Sequence, residues 1–322
     1  MGDPAGIRHR GACRAGIGAA RDRRRAGVAA GRRTAHMTAP PAWTSLHVFI
    51  HDFARLDGFL CDCLASAPPD LLAESFFIRY WLGGPHVRIR FRDAAAAPVL
   101  AAHVRDYLDR NPFHSALEPD SYYQQFASQL HTEPERYWHG NGELRYIAYA
   151  PEVARYGGLT GLALCERFFV DDSNATLALL RRHTPAEMEK ILFGCCLVQY
   201  EVLAQAGLFE RYLRDCHGIA DRADLDGALQ VRAGTALARA WPGLLAAGAR
   251  HATGAYYPAT LAQYRNRLAR ISGALADAGI AGVPGILHAL LHMSFNRAGI
   301  VPFRENTIRL FALALHNEGI PA

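Results

Sequence analysis

The chain has 322 residues, half of them hydrophobic and a fifth charged, enough for one large domain or two small ones. Its net charge of +5 is unevenly spread: residues 1–36 hold nine arginines against Asp3 and Asp22, a net of +7, so the other 286 residues sum to −2. A nearly neutral body removes the basic pI as an argument for nucleic acid. No apolar run reaches a membrane span, since Ile191–Leu203 is short and interrupted by Gln199 and Glu201.

Residues 1–36 lack aromatics, apolar periodicity and any hydrophobic leader core. They are expected to be disordered, with Met37 before Thr-Ala-Pro-Pro the better natural start and one folded unit over 37–322. The seven cysteines (Cys13, Cys61, Cys63, Cys165, Cys195, Cys196 and Cys216) form no CxxC pair. Reduced thiols in a cytoplasmic protein are expected.

Trp43–His51 reads as a first strand, with His47, Phe49 and His51 on one face and Leu46, Val48 and Ile50 on the other. Asp52–Ala67 reads as a helix that Pro68-Pro69 stops. Ser75–Asp93 then reads as a β-hairpin around Leu82-Gly83-Gly84-Pro85. Its second run alternates: His86, Arg88, Arg90 and Arg92 share one face, and Val87, Ile89 and Phe91 the other. A four-residue turn sets Trp81 opposite His86, Arg79 opposite Arg88 and Phe77 opposite Arg90. Two guanidiniums face to face destabilise a bare hairpin, so an anion or carboxylates are expected between them. The alternative, a solvated polar face, predicts mixed signs, yet no acid precedes Asp93 on this strand.

Ala94–Asp109 reads as an Ala-rich helix, 111–142 as polar and irregular, and Glu143–Tyr149 as another strand. The chain then runs into Pro151-Glu152 and Arg155-Tyr156-Gly157-Gly158, where the glycines end regular structure. Helical patterns follow over 159–169, 172–182, 185–206, 207–216, 225–247, 258–279, 284–297 and 304–317. Strands before residue 150 and helices after it make the fold α+β, antiparallel strands packed against a mostly helical second half.

On the helix Pro284–Arg297, His288, His292 and Asn296 recur every four residues on one face. The run HALLH has the spacing of a zinc helix but no Glu and no third ligand in view, so no metal is expected. Two packed core histidines and a catalytic His with Asn and Arg support both fit that spacing. Arg155 follows Glu152 by three residues, which suits either a surface turn or an oriented guanidinium. No nucleophile elbow, dinucleotide loop or phosphate loop is present, so no cofactor is expected.

Three motifs in order carry a family likeness: Arg79-Tyr80-Trp81 with Gly84-Pro85-His86-Val87-Arg88-Ile89-Arg90, then Pro151-Glu152 with Arg155-Tyr156-Gly157-Gly158, then His292-Met293 with Asn296-Arg297. They resemble the C-terminal domain of lantibiotic dehydratases, which also occurs alone as the thiopeptide-type bacteriocin biosynthesis protein. The resemblance runs from Trp43 to about Asn317, with Asp172-Ser173 and Glu305 also fitting, and leaves 1–36 without a counterpart.

The resemblance implies a lyase of ribosomal-peptide (RiPP) maturation. Such a domain removes glutamate by β-elimination from Ser or Thr that has been glutamylated from glutamyl-tRNA, leaving dehydroalanine or dehydrobutyrine. Motif match implies catalytic roles for Arg88, Arg155 and His292, and substrate binding by Arg79, His86, Arg90, Tyr156, Asn296 and Arg297. The implied partners are the glutamylated precursor peptide and a separate glutamylating subunit, the chain being too short to hold that domain itself. Neither membrane nor direct nucleic-acid contact is implied, and a homodimer is left open. Two alternatives remain: the [4+2] cycloaddition of stand-alone relatives that build the thiopeptide pyridine, and a non-catalytic scaffold for the leader peptide. In the family likeness, those cyclases lack the Arg and His set.

Overall fold

The computed structural model describes residues 43–126, 137–216 and 257–317. The segment 1–36 and the expected helix 225–247 lie outside them. The described chain is α+β, as the order of elements requires: strands in the first half, helices in the second.

Strand β1 (Thr44–Phe49) leads into α1 (Phe53–Gly58), whose Asp52 cap accepts a hydrogen bond from the Ala54 amide. The helix expected over 52–67 does not stay regular: Phe59–Cys63 widens into a π-turn and Leu64–Ser66 tightens into a 3₁₀ turn. Pro68-Pro69 follows the end of that run, as expected, and Pro69 also starts α2 (Pro69–Ala73), because proline suits the first turn, where no amide donor is needed. Strands β2 (Ser75–Tyr80) and β3 (His86–Phe91) form the hairpin, and α3 (Ala97–Arg110) follows. The stretch expected to be irregular contains α4 (Pro119–Phe126), and β4 is only Leu144–Tyr146.

All four strands are antiparallel, in the order β2-β3-β1-β4. Leu46, Val48, Phe77, Val87 and Ile89 point to one face and form a core with Leu56, Phe59, Leu100 and Val104 of the helices beneath. The other face carries the polar residues of the hairpin.

The hairpin register differs from expectation by one residue. Tyr80 lies opposite His86, Arg79 opposite Val87 and Ile78 opposite Arg88. The connection is five residues, Trp81–Pro85, not four, and a one-residue slip sends every side chain of a strand to the opposite face. Arg79 and Arg88 therefore never face each other. The turn needs glycine at its tip: Gly84 has φ +103°, and a Cβ there would sit 2.5 Å from His51 Nε2.

The helical half is α5 (Gly158–Leu180), α6 (Pro185–Gln205), α7 (Phe209–Cys216), α8 (Pro258–Asp277), α9 (Val283–Arg297) and α10 (Pro302–Asn317). The expected break near residue 170 is absent, and α5 runs through Asp172 and Ser173, both buried and hydrogen-bonded. A reciprocal capping box starts α6, Thr184 Oγ1 accepting from the Glu187 amide while Glu187 accepts from that of Thr184. Almost wholly buried from Ile191 to Leu203, α6 forms the centre of the helical layer against α8, α9 and α10. Among the described residues no single helix is long and apolar enough to cross a membrane.

Candidate active site

Alternation along β1 and β3 places Ser45, His47, Phe49, His86, Arg88 and Arg90 on one sheet face, with His47 paired to Arg88 and Ser45 to Arg90 in register. Arg88 Nε donates to His86 Nε2 at 3.0 Å, and its guanidinium lies 3.4 Å from the centre of the Tyr80 ring. No carboxylate comes within ion-pair distance of it among the described residues. Burial lowers its pKa, which the nearby Tyr80 and Tyr137 hydroxyls oppose.

His86 is locked in one neutral tautomer. Its Nδ1 sits 2.7 Å from the Gly84 carbonyl and donates to it, leaving Nε2 to accept from Arg88. Burial pushes its pKa down to about 3, with Arg88 adding to the shift. Although it stands beside the turn, Phe49, His47 and Tyr80 enclose it. His47 stacks on it at 5.1 Å and is pushed further, to about 2, by burial and then by Arg88.

Arg90 is sandwiched between Tyr149 at 4.5 Å and Phe76 at 5.3 Å and makes no hydrogen bond to any described residue. Burial lowers its pKa to about 10. Arg92 differs, lying over Trp43 with Glu74 at 3.7 Å and Glu166 at 3.8 Å.

The second group lies on α9 and α10. His292 Nδ1 is 2.6 Å from Glu305 Oε2, and Glu305 Oε1 accepts from Arg309 Nε at 2.8 Å. Arg309 reaches on to the carbonyl of His288 at 3.2 Å, and the His288 ring meets the Tyr212 hydroxyl at 3.2 Å. Burial pushes the Glu305 carboxyl up, but His292 and Arg309 together outweigh it and hold the group below its ordinary range. Burial and Arg309 push His288 down to about 3, so it is a neutral core histidine. His292 alone of the two keeps a third of its side chain exposed.

Arg155 is exposed and leans on Glu152 at 3.3 Å. Its turn packs against the start of α9, since Gly157 (φ +78°) lies against Ile280 and Ile286 with no room for a side chain. Thus α9 carries His292 between two neighbours, the Arg155 turn at one end and the hairpin at the other. No hydrogen bond or ion pair joins Arg88, Arg155 and His292 directly.

Three residues expected to bind substrate do other work. Asn296 spends its amide on the Arg79 backbone, accepting from the nitrogen and donating to the carbonyl, both at 2.9 Å. Arg297 is wholly buried, bonded to Asp172, Ser173 and the Phe77 carbonyl. Arg79 donates to Asp57 and the Arg297 carbonyl, on the sheet face away from Arg88. Together they seal the outer edge of β2. Tyr156 is likewise a core residue, edge-on to Phe169 at 5.4 Å.

Sequence reading passed over His47, which the alternation of β1 had already put on this face, and the pairing of His292 with Glu305. Among the described residues no set of three His, Cys, Asp or Glu groups is placed to hold a metal, and His288 and His292 both commit Nδ1 to protein partners. A surface cavity of about 310 Å³ opens elsewhere, at the Phe91 end of β3 beside Leu71, Glu74 and Val99.

Residues 43–315 match the sequence family described as "Lantibiotic biosynthesis dehydratase C-term". No curated protein matches the sequence. Among solved structures, the pyridine synthase TbtD from thiomuracin biosynthesis is similar, at 18% identity and TM-score 0.59, over 86% of this chain and 98% of that one. TsrL aligns at 15% identity and TM-score 0.56, over 86% and 94%. The tRNA-dependent lantibiotic dehydratase MibB from Microbispora sp. 107891 aligns at 20% identity and TM-score 0.49, over 88% of this chain and 29% of its own. At these identities the likeness to TbtD and TsrL is one of fold.

Proposed function

The chain belongs to the lantibiotic biosynthesis dehydratase C-terminal family, and from that premise we propose that it matures a ribosomally made peptide by eliminating glutamate from glutamylated Ser or Thr. The observation that carries this reading is Arg88, a half-buried guanidinium fixed by His86 and Tyr80 yet facing no carboxylate of its own among the described residues. Such a group is prepared for an anion that comes from outside.

Elimination moves the Cα proton of the esterified residue to a base, forms the Cα–Cβ double bond and breaks the Cβ–O bond, releasing glutamate as a carboxylate. In this reading His292 takes the proton at Nε2 while Glu305 holds Nδ1–H and stabilises the imidazolium. Arg88 binds the carboxylate that leaves. Arg155, beside the start of α9, steadies the substrate's charged end. The partners that follow are the glutamylated precursor and a separate subunit that glutamylates it.

Cycloaddition is the competing reading, and the near-equal length of TbtD keeps size from separating the two. Two dehydroalanines carry no anionic group, however, and would leave Arg88 without a counter-charge. The test is mass spectrometry of precursor peptide after coexpression with the glutamylating partner and the His292→Ala chain. Elimination predicts peptide carrying intact glutamyl esters. A fully dehydrated but linear peptide would instead identify a cyclase, and unchanged product a scaffold.

A further inference from the structure

The two edges of the sheet are finished differently. At β2 the outward main chain is closed: the amides and carbonyls of Phe77 and Arg79 are all taken by Ser173, Asn296 and Arg297. At β4 two bonds fix the phase of pairing, from the Phe49 amide to the Glu143 carbonyl and from the Ile147 amide to the Ser45 carbonyl. They turn the main chain of Glu143, Arg145 and Ile147 toward β1. Leu144 and Tyr146 therefore point their N–H and C=O groups away from it, and no described residue bonds any of the four. The Tyr146 hydroxyl is spent on the Ala97 carbonyl, and the residue is half exposed. Charge does not guard this edge either, since Arg145 is paired with Glu143. An open edge is a template for another extended chain, and proteins without a use for one cover or blunt it.

We propose that the β4 edge at Leu144 and Tyr146 binds an extended segment of the peptide substrate as a fifth strand, by main-chain pairing. The inference rests on the peptide-maturation reading for its occupant, and not on which reaction follows. Two outward residues offer four main-chain groups, too few to hold a second copy of this chain, since a stable dimer buries about 1,200 Å² or more. They suffice to align a peptide whose reacting residue is held elsewhere. His47 pairs with Arg145 on one side and Arg88 on the other, so the edge continues the sheet face that carries Arg88. A fifth strand lies three strand spacings from β3, about 14 Å, which about four to five extended residues span. The recognised segment is thus separate in sequence from the reacting residue. Main-chain pairing reads an extended conformation before it reads side chains, so the bound segment can vary in sequence.

The experiment is fluorescence anisotropy of labelled, unmodified precursor peptide titrated with the full chain. Leu144→Pro and Tyr146→Pro each delete one outward N–H and leave the bonds to β1 in place. Each is expected to weaken binding by about three- to tenfold, the worth of one hydrogen bond. Tyr146→Phe loses the hydroxyl, keeps the amide and should bind as the parent does, with melting curves to verify the fold. Should the proline variants not fold, the parent chain is titrated with peptides N-methylated one residue at a time. Binding should then drop at alternate positions of one segment and hold at those between. No measurable binding, parental affinity in a folded proline variant, or an N-methyl series without alternation overturns the inference. So does a dimer in sedimentation that Leu144→Pro dissociates, which would assign the edge to a second copy. Proline-sensitive binding by a chain that releases no glutamate would sink elimination and leave the edge intact; glutamate release with proline-insensitive binding would do the reverse.

Discussion

His292 Nδ1 and Glu305 Oε2 stand 2.6 Å apart, an imidazole and a buried carboxylate joined across the turn between α9 and α10. The carboxylate fixes Nδ1 as the protonated nitrogen and leaves Nε2 as the basic one on a ring that is a third exposed. His292, together with Arg309 on the other oxygen, holds the Glu305 carboxyl below its ordinary range in a site where burial alone would raise it.

Glu305→Gln should therefore lower the elimination rate by about a hundredfold, with KM little changed, because the amide cannot stabilise an imidazolium. Glu305→Asp should recover part of the loss. Single-turnover kinetics on glutamylated peptide measure it, and a Gln variant within about twofold of the parent removes Glu305 from the mechanism.

Arg88→Lys keeps the charge and loses the planar, two-pronged donor. We expect a rate loss on the order of a hundredfold at unchanged melting temperature. Parental rates from both Arg88→Lys and Arg88→Ala would end the anion-site reading.

Arg297 separates architecture from catalysis. Replacing it with Leu takes from buried Asp172 its closer cation, leaving Arg267 at 3.8 Å and the Ser294 hydroxyl, at a cost approaching about 3–5 kcal/mol. The melting temperature should fall by on the order of 10 °C. A rate defect at parental stability would restore Arg297 to the substrate.

Stability should fall on mild acidification. His47, His86 and His288 are held neutral with pKa values near 2, 3 and 3, against about 6.5 unfolded. Below pH 6.5 the unfolded chain binds protons that the folded chain refuses, so stability is complete above that value and declines toward pH 4. Three such groups give a slope on the order of 4 kcal/mol per pH unit. Urea midpoints at pH 7 and pH 5.5 test this; equal midpoints would mean that these histidines are not buried neutral.

Chelation should leave activity intact, since each of the paired histidines of α9 already has a protein partner. Stoichiometric zinc whose removal abolishes activity would revive His288 and His292 as ligands.

The periodicities told the truth about faces and little about pairing. His86 to Phe91 alternates as read, and the order of strands and helices gave α+β correctly. Register failed because Trp81 looks like strand, and only the structure shows its carbonyl turning back to bond Gly84 and Tyr122. Asn296 and Arg297 were read as substrate-binding from the motif match, and Asn296 also from its place on the face of His288 and His292. Their partners, Arg79 and Asp172, lie 217 and 125 residues away, beyond the reach of any local pattern. His292 was legible as a candidate, but spacing alone could not tell it from His288; burial and Glu305 do.

The sealed edge of β2 has a consequence in time. Its outward amides and carbonyls at Phe77 and Arg79 are closed by Ser173, Asn296 and Arg297, the last made 220 residues after Phe77. At synthesis rates of roughly 5–20 residues per second, the nascent sheet waits about 10–45 s for the helix that closes it. Until Arg297 and Asn296 emerge the growing chain presents an incompletely closed strand edge to its neighbours on the polysome, so the burden on chaperones lasts from the first quarter of translation almost to its end.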